Sequence, residues 1–192
     1  QRLAALYAMA SGQAPLVVAA IDAAVQRCVP KDVLLETVIA LKVGESYPIE
    51  PLTARLTAAG YVRCQQVEGP GQFALRGGIL DVFSPAMEQP VRCEFWDDEL
   101  DAMGAFDVTT QRRVHNLEET LLLPAGEVLP FRGADTAEKA AAALESAGKR
   151  LKKKEHTEPL LRQLETDANA LRQGIAPNGC DRYLAAVYPE KT

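Results

Sequence analysis

Two arginines, one glutamate and one tryptophan are the side chains whose types and spacing could do specific chemistry. Arg76 closes the half-apolar run QFALR just before a Gly77-Gly78 turn, and Arg92, Glu94 and Trp96 alternate through VRCEFW at residues 91–96. A strand repeats its side chains every two residues, which sets Val91, Cys93 and Phe95 on one face and Arg92, Glu94 and Trp96 on the other. The same rule turns Phe73 and Leu75 inward and Ala74 and Arg76 outward. A shared sheet would then bring Arg76, Arg92, Glu94 and Trp96 onto one outer face. Arginine offers a planar fork of N–H donors that fits a carboxylate, and tryptophan a large ring with one donor, the residue types most enriched at the anchors of protein–protein contacts. The expected chemistry is recognition of another protein. A second reading is internal: Trp96 tucks under the Asp97-Asp98 turn, and Arg92 pairs with Glu94 or with a neighbouring strand. Both readings stand on the residues alone.

Catalysis has no comparable foothold. The sequence contains neither G-x-x-x-x-G-K-[ST] nor G-x-G-x-x-G after a strand, and Gly69, Gly71, Gly77 and Gly78 sit between strand-like runs as turn glycines. Ser11, Ser46, Ser84 and Ser146 occur in no nucleophile elbow, and the acid pairs Asp97-Asp98 and Glu118-Glu119 read as solvated turns. Cys28, Cys64, Cys93 and Cys180 are far apart, with no C-x-x-C pair and only His115 and His156 to join them. That argues against a zinc site and for reduced thiols that serve as small apolar side chains. No catalytic residue, cofactor or metal site is expected, and the implied compartment is the cytoplasm. The run KRLKKK, Lys149 to Lys154, reads as a solvated linker rather than a phosphate contact, because no aromatic residues interleave with it.

The elements that must position the four residues follow from periodicity. Leu3, Leu6, Tyr7 and Ala10 mark a helix stopped by Gly12, PLVVAAI at 15–21 reads as a buried strand, and Asp22 can cap a short helix after it. TVIALKVG, 37–44, reads as an exit strand. EPLTARLTAAG then gives a helix, followed by five strand-like runs: YVRCQQV, QFALR, ILDVF, VRCEFW and LDAMGAF. The run LEETLLLP, 117–124, returns to the first lobe, and two helices follow. The first is capped at Asp135 or Thr136 and stopped by Gly148; the second has Thr157 as cap, Pro159 in its first turn and Gly174 as stop. The expected fold is an α/β lobe, residues 1–44 and 116–192, interrupted by an α+β antiparallel-sheet module, residues 45–115.

Composition sets outer bounds. The 192 residues carry a net charge of -5, with 47% hydrophobic, 24% charged and 6% aromatic content. Such a chain buries a core without staples but lacks the global positive field of a non-specific nucleic-acid binder. No run approaches the ~20 apolar residues needed to span a bilayer. A start at Gln1 rather than Met reads as a piece of a longer protein.

GQFALRGGILDVFSP, PVRCEFWDDELDAMGAFDVTTQR and LLLPAGE together resemble the module shared by the bacterial transcription-repair coupling factors (Mfd) and the nucleotide-excision-repair subunit UvrB. RLAALYAMASGQAPLVVAAIDAAVQR and LKVG extend the resemblance over roughly residues 2–130. R-G-G in place of the R-G-D common in UvrB, together with LLLPAGE, favours the coupling factors. The resemblance implies that residues 45–115 bind UvrA, the damage-recognition ATPase, through Arg76, Arg92, Glu94 and Trp96, the last where the family usually has Phe. It implies a flanking lobe that is helicase-like, of RecA type without its P-loop, in a parent protein that is an ATP-dependent DNA translocase. RNA polymerase and DNA would be met only through other parts of that parent, with no membrane or small-molecule substrate involved. The implied role is to recruit excision repair to stalled RNA polymerase. Two alternatives remain. One is a fragment of a UvrB-type damage-binding ATPase, against which stands the lack of a Tyr-rich hairpin segment before residue 45. The other is a scaffold domain whose Arg and Trp are satisfied within the fold.

Overall fold

The computed structural model describes residues 2–14, 16–151 and 157–189, so Lys152, Lys153 and Lys154 of the basic run lie outside the described residues. In chain order the first elements are α1 (Arg2–Ala10), α2 (Ile21–Ala24), α3 (Lys31–Thr37), β1 (Ile39–Lys42), α4 (Ile49–Ala58), β2 (Val62–Arg63) and β3 (Gln72–Arg76). Then come β4 (Ile79–Phe83), β5 (Val91–Trp96), β6 (Glu99–Phe106), β7 (Arg113–Asn116), β8 (Glu119–Leu122), α5 (Thr136–Leu151), α6 (Glu158–Arg172), a 3-10 turn (Cys180–Tyr183) and α7 (Leu184–Val187). They form two compact units, one of residues 1–20 and 31–126 and the other of residues 21–30 and 127–192.

The first unit is built on a six-stranded sheet in the order β2-β3-β4-β5-β6-β7. Every neighbouring pair is antiparallel except β2 and β3, which run parallel, so the sheet expected to be antiparallel is mixed. A separate antiparallel ribbon joins β1 to β8, with Ile39 opposite Leu122. One face of the large sheet, carrying Phe73, Leu80, Val82, Val91, Cys93, Leu100 and Met103, packs with Leu52 and Leu56 of α4 and with Ile39, Leu41 and Leu122 of the ribbon. The alternation of QFALR and VRCEFW predicts this inner face. β6 needs one irregularity to join it. Glu94 lies opposite Ala102 but Phe95 opposite Leu100, leaving Asp101 as an extra, exposed residue. This β-bulge resets the side-chain parity, so Leu100 and Met103 both point into the core although they are three positions apart, an odd step.

Three expectations are corrected. Residues 16–20 of the PLVVAAI run form no strand, and Leu16 and Val18 are 80% and 89% exposed. A continuous apolar run is buried only when strands flank it, and none among the described residues pairs with it. Asp22 lies inside α2 rather than capping it. Gly148 does not stop α5, which continues to Leu151; in the second unit it faces α6, where a Cβ would make an ordinary contact with Leu161 Cδ2 at 3.7 Å. The same helix pair is tied by Arg172, which donates to Glu138 and to Glu145 at 2.9 and 2.6 Å. Gly12 and Gly174 do end their helices, at φ 74° and 77°.

In the first unit burial pushes the Cys93 thiol up to about 12 and the Tyr61 hydroxyl up to about 12. The folded chain therefore keeps protons that the unfolded chain releases from about pH 9 upward. This contribution to stability is whole below pH 9 and falls as the pH climbs toward 12. Between pH 8 and pH 10 the thiol alone should lower the unfolding free energy by about 1 kcal/mol, and Cys93→Val should remove that share of the loss. Urea-unfolding midpoints at the two pH values measure it; an unchanged slope in the variant would refute the assignment.

Candidate functional site

Strand register places the outer face of the sheet residue by residue. Ala74, Asp81, Arg92 and Gly104 lie in one cross-strand row, and Arg76, Ile79, Glu94 and Ala102 in the next. At the centre is Asp81, a carboxylate only 1% exposed in the middle of the apolar strand β4. It accepts from Arg92 Nε at 2.7 Å and Arg92 Nη2 at 2.9 Å, a bidentate pair with the residue directly opposite, and from Arg76 Nη2 at 2.7 Å across the hairpin. Charge-assisted bonds on both carboxylate oxygens offset the cost of removing Asp81 from water.

Arg92 is held on every side. Its Nη1 and Nη2 donate to the Gln111 carbonyl oxygen and Oε1 at 3.2 and 3.0 Å, and its Cζ lies 4.4 Å from the centroid of the Phe106 ring. The hydrogen bond to Asp81 raises its pKa above the usual guanidinium value. Gln111 presents both oxygens because its backbone is left-handed, at φ 59°, while its Nε2 donates to the Val108 carbonyl oxygen at 2.8 Å. The 107–112 turn is fixed by Asp107, which accepts from Thr110 N at 2.7 Å and Thr110 Oγ1 at 2.9 Å. These bonds hold the Asp107 carboxyl below the usual range. Val67, Phe83, Cys64 and Val108 cluster with Ala74 over this part of the face. The part carrying Arg76, Ile79, Glu94 and Trp96 is left in solvent.

The four expected residues are thus on one side of one sheet, with different surroundings. Arg76 is 44% exposed and Arg92 19%. Glu94 does not orient Arg92: it accepts from Arg113 Nη2 on β7, and Arg113 Nη1 donates to Asn116 Oδ1 at 3.1 Å. Trp96 is 82% exposed and does not tuck under the Asp97-Asp98 turn. Its backbone is nonetheless fixed. The β5–β6 hairpin turns through Asp97 at φ 56°, and its strands are held by Tyr47 N to Asp98 O at 2.7 Å, Leu100 N to Glu45 O at 3.0 Å and Phe95 N to Gly78 O at 2.7 Å. Gly78 allows that last approach, since a Cβ there would stand 2.6 Å from the Phe95 carbonyl oxygen.

Asp81, Phe106, Gln111 and Arg113 are the residues that sequence reasoning missed. Asp81 carried a usable signal, an acid at the centre of ILDVF that shares the outward phase of Arg76. Phe106 ends the expected run LDAMGAF, and Gln111 and Arg113 come from a turn and from β7, whose pairing no local pattern marks.

Residues 39–127, which take in α4 and all eight strands, match the family described as the UvrB interaction domain. This segment of the chain belongs to the UvrB interaction domain family. The chain is 32% identical over 190 residues, 98% of its length, to the transcription-repair-coupling factor of Bacillus subtilis, and covers 16% of that protein. To the transcription-repair-coupling factor of Myxococcus xanthus it is 33% identical over 191 residues, 99% of the chain and 15% of the relative. To that of Escherichia coli it is 35% identical over 126 residues, 66% of the chain and 11% of the relative. The chain therefore spans about a sixth of the first two relatives.

The ion triad predicts an asymmetry in stability. Asp81→Ala should cost about 3 kcal/mol, because it strands the half-buried Arg92 without its counter-charge, whereas Arg76→Ala should cost less than about 1 kcal/mol, since Arg92 still satisfies Asp81. Chemical unfolding of the two variants decides it. Equal losses would mean that the triad does not centre on Asp81.

Proposed function

We propose that this chain is a protein-docking module whose partner is UvrA, and that it is not itself an enzyme. The observation that carries the reading is Trp96, a large ring 82% exposed on a pinned hairpin, on the same face as the half-exposed Arg76. A side chain of that size left in water on a fixed backbone is an anchor awaiting a pocket, and a neighbouring arginine gives the contact its charge selectivity. Membership of residues 39–127 in the UvrB interaction domain family and similarity to proteins named transcription-repair-coupling factors support UvrA as the protein met. In this reading the face formed by Arg76, Arg92, Glu94 and Trp96 lies on an inserted module at 45–115. Residues 1–44 and 116–192 belong to a helicase-like lobe of RecA type. Other parts of the parent protein, an ATP-driven translocase, would engage RNA polymerase and DNA in the cytoplasm, so that docked UvrA brings excision repair to a stalled polymerase.

Calorimetric titration of the folded chain with UvrA tests this. Arg76→Ala and Trp96→Ala should each cost about 2 kcal/mol of affinity, roughly thirtyfold, with circular dichroism unchanged. Arg92→Ala is the less clean probe, since it also exposes the Asp81 carboxylate to an incomplete set of donors. Absence of binding by the folded wild type, or losses below a few tenths of a kcal/mol in both clean variants, would sink the proposal.

A further inference from the structure

The edge of β6 that faces away from β5 is shared by two partners. Its far part, Gly104 to Phe106, pairs with β7, and Leu117 N donates to Met103 O at 2.9 Å. The part next to the Asp97 turn is covered instead by the loop between β1 and α4. Gly44 N donates to Leu100 O at 2.8 Å, Leu100 N to Glu45 O at 3.0 Å and Tyr47 N to Asp98 O at 2.7 Å, while Ser46 stands opposite Glu99 in an antiparallel bridge. The tip of the hairpin that carries Trp96 therefore leans on a loop that acts as a short additional strand.

A loop can serve as a strand only if something fixes its shape, because ordering its backbone costs entropy. Here the fixing group is Tyr47. Its ring packs against the apolar core of the first unit, and its hydroxyl reaches back to the start of the loop. Val43 N donates to Glu118 O across the ribbon, so by alternation Lys42 N points away from β8, and Tyr47 Oη accepts from it at 3.0 Å. The same Oη donates to Glu45 Oε2 at 3.0 Å. Burial, and then the Glu45 carboxylate, push the hydroxyl above the usual phenol range, so the proton it donates is kept. Within the loop Glu45 N donates to Lys42 O at 3.2 Å, and the chain turns at Gly44, φ 84°. Residues 42–47 are thus closed on themselves by one phenol, from the end of the ribbon to the backbone bond with Asp98.

We propose that Tyr47 is the positioning residue of the docking hairpin: through its hydroxyl it holds the loop as a strand against β6, and so presets Trp96 for the partner without touching the partner itself. This rests on the docking reading above and extends it to a residue outside the docking face. A phenol both accepts and donates, which is what a joint between a backbone N–H and a carboxylate requires; phenylalanine supplies the ring without the joint. Without Oη, Lys42 N–H and the Glu45 carboxylate turn to water, the loop loses its closure, and Trp96 has more freedom to lose on contact.

Trp96 is the only tryptophan of the chain, so its fluorescence reports on the hairpin without a label. Tyr47→Phe, which keeps the ring in the core, should enlarge the fast local component of its anisotropy decay and speed amide exchange at Gly44, Tyr47 and Leu100 about five- to tenfold, with the β3–β4 amides unchanged. Titrated with UvrA, the same variant should bind about fivefold more weakly. Glu45→Gln keeps an acceptor for Oη and should match wild type in all three measurements. Weaker binding with an unchanged hairpin would make Tyr47 a contact and overturn the inference, as would a loosened hairpin with undiminished affinity. Exchange accelerated alike in β3 and β4 would mean a general loss of stability, and equal losses in Glu45→Gln would move the role to the Glu45 charge; either overturns it. If Trp96→Ala weakens binding while Tyr47→Phe does not, this inference fails and the docking reading stands. If the folded wild type does not bind, the docking reading has failed and this inference falls with it.

Discussion

A carboxylate in the interior of a sheet must be neutralised or matched, and Asp81 is matched by two arginines that arrive from different strands. Three charge-assisted bonds converge on its two oxygens, at 2.7, 2.7 and 2.9 Å. Removing Asp81 or Arg92 changes the energetics out of proportion to a surface ion pair, because what remains is a charge that water reaches poorly. The consequence is geometric as well as energetic. Arg92 cannot leave Asp81 without stranding it, so β4 and β5 keep their register, and Arg76 is drawn back over the sheet instead of extending from the β3–β4 turn. An internal constraint thereby fixes where the exposed guanidinium stands.

The hairpin that carries Trp96 is governed by the same economy of freedom. A two-residue turn with Asp97 in the left-handed region is strained for a residue with a side chain, and backbone bonds to residues 44–47 hold it there. The bulge at Asp101 lets β6 follow β5 to that turn while Leu100 stays in the core. Tryptophan has only two side-chain torsions to lose on contact, so on a fixed backbone it presents its area at low entropic cost. Exposure and rigidity together, rather than exposure alone, distinguish it from the apolar side chains at 16–20, which are exposed on chain with no regular structure.

Much of this was legible in the residues because it depends on period two. VRCEFW and QFALR divide into an inner and an outer set without knowledge of the pairing, and the glycines at 12 and 174 announce helix ends. What could not be read depends on residues distant in the chain. The strand expected at 15–21 needed neighbours, and the sequence does not say whether they exist. Gly148 carries the signature of a helix stop, yet α5 continues past it to Leu151 with the glycine buried against α6. The parallel β2–β3 pair and the extra residues Asp101 in β6 and Val114 in β7 are set by cross-strand fit and leave no local mark. The sequence leaves Arg92 a choice between Glu94, two residues away, and a neighbouring strand; it takes the second through Asp81, while Arg113 reaches Glu94 across a strand that presents only Gly104 and Ala102.

A face built this way separates donors that hold the fold from donors left to solvent. An arginine free in solution loses roughly 2 kcal/mol of rotamer freedom when a partner immobilises it. One already restrained by a single bond, as Arg76 is by Asp81, loses less and still offers most of its fork. Arg92 bears the restraint and has one N–H left to give. In the docking reading, a partner would meet donors already preset by the buried charge pair beneath them, and the fold would stay as it was.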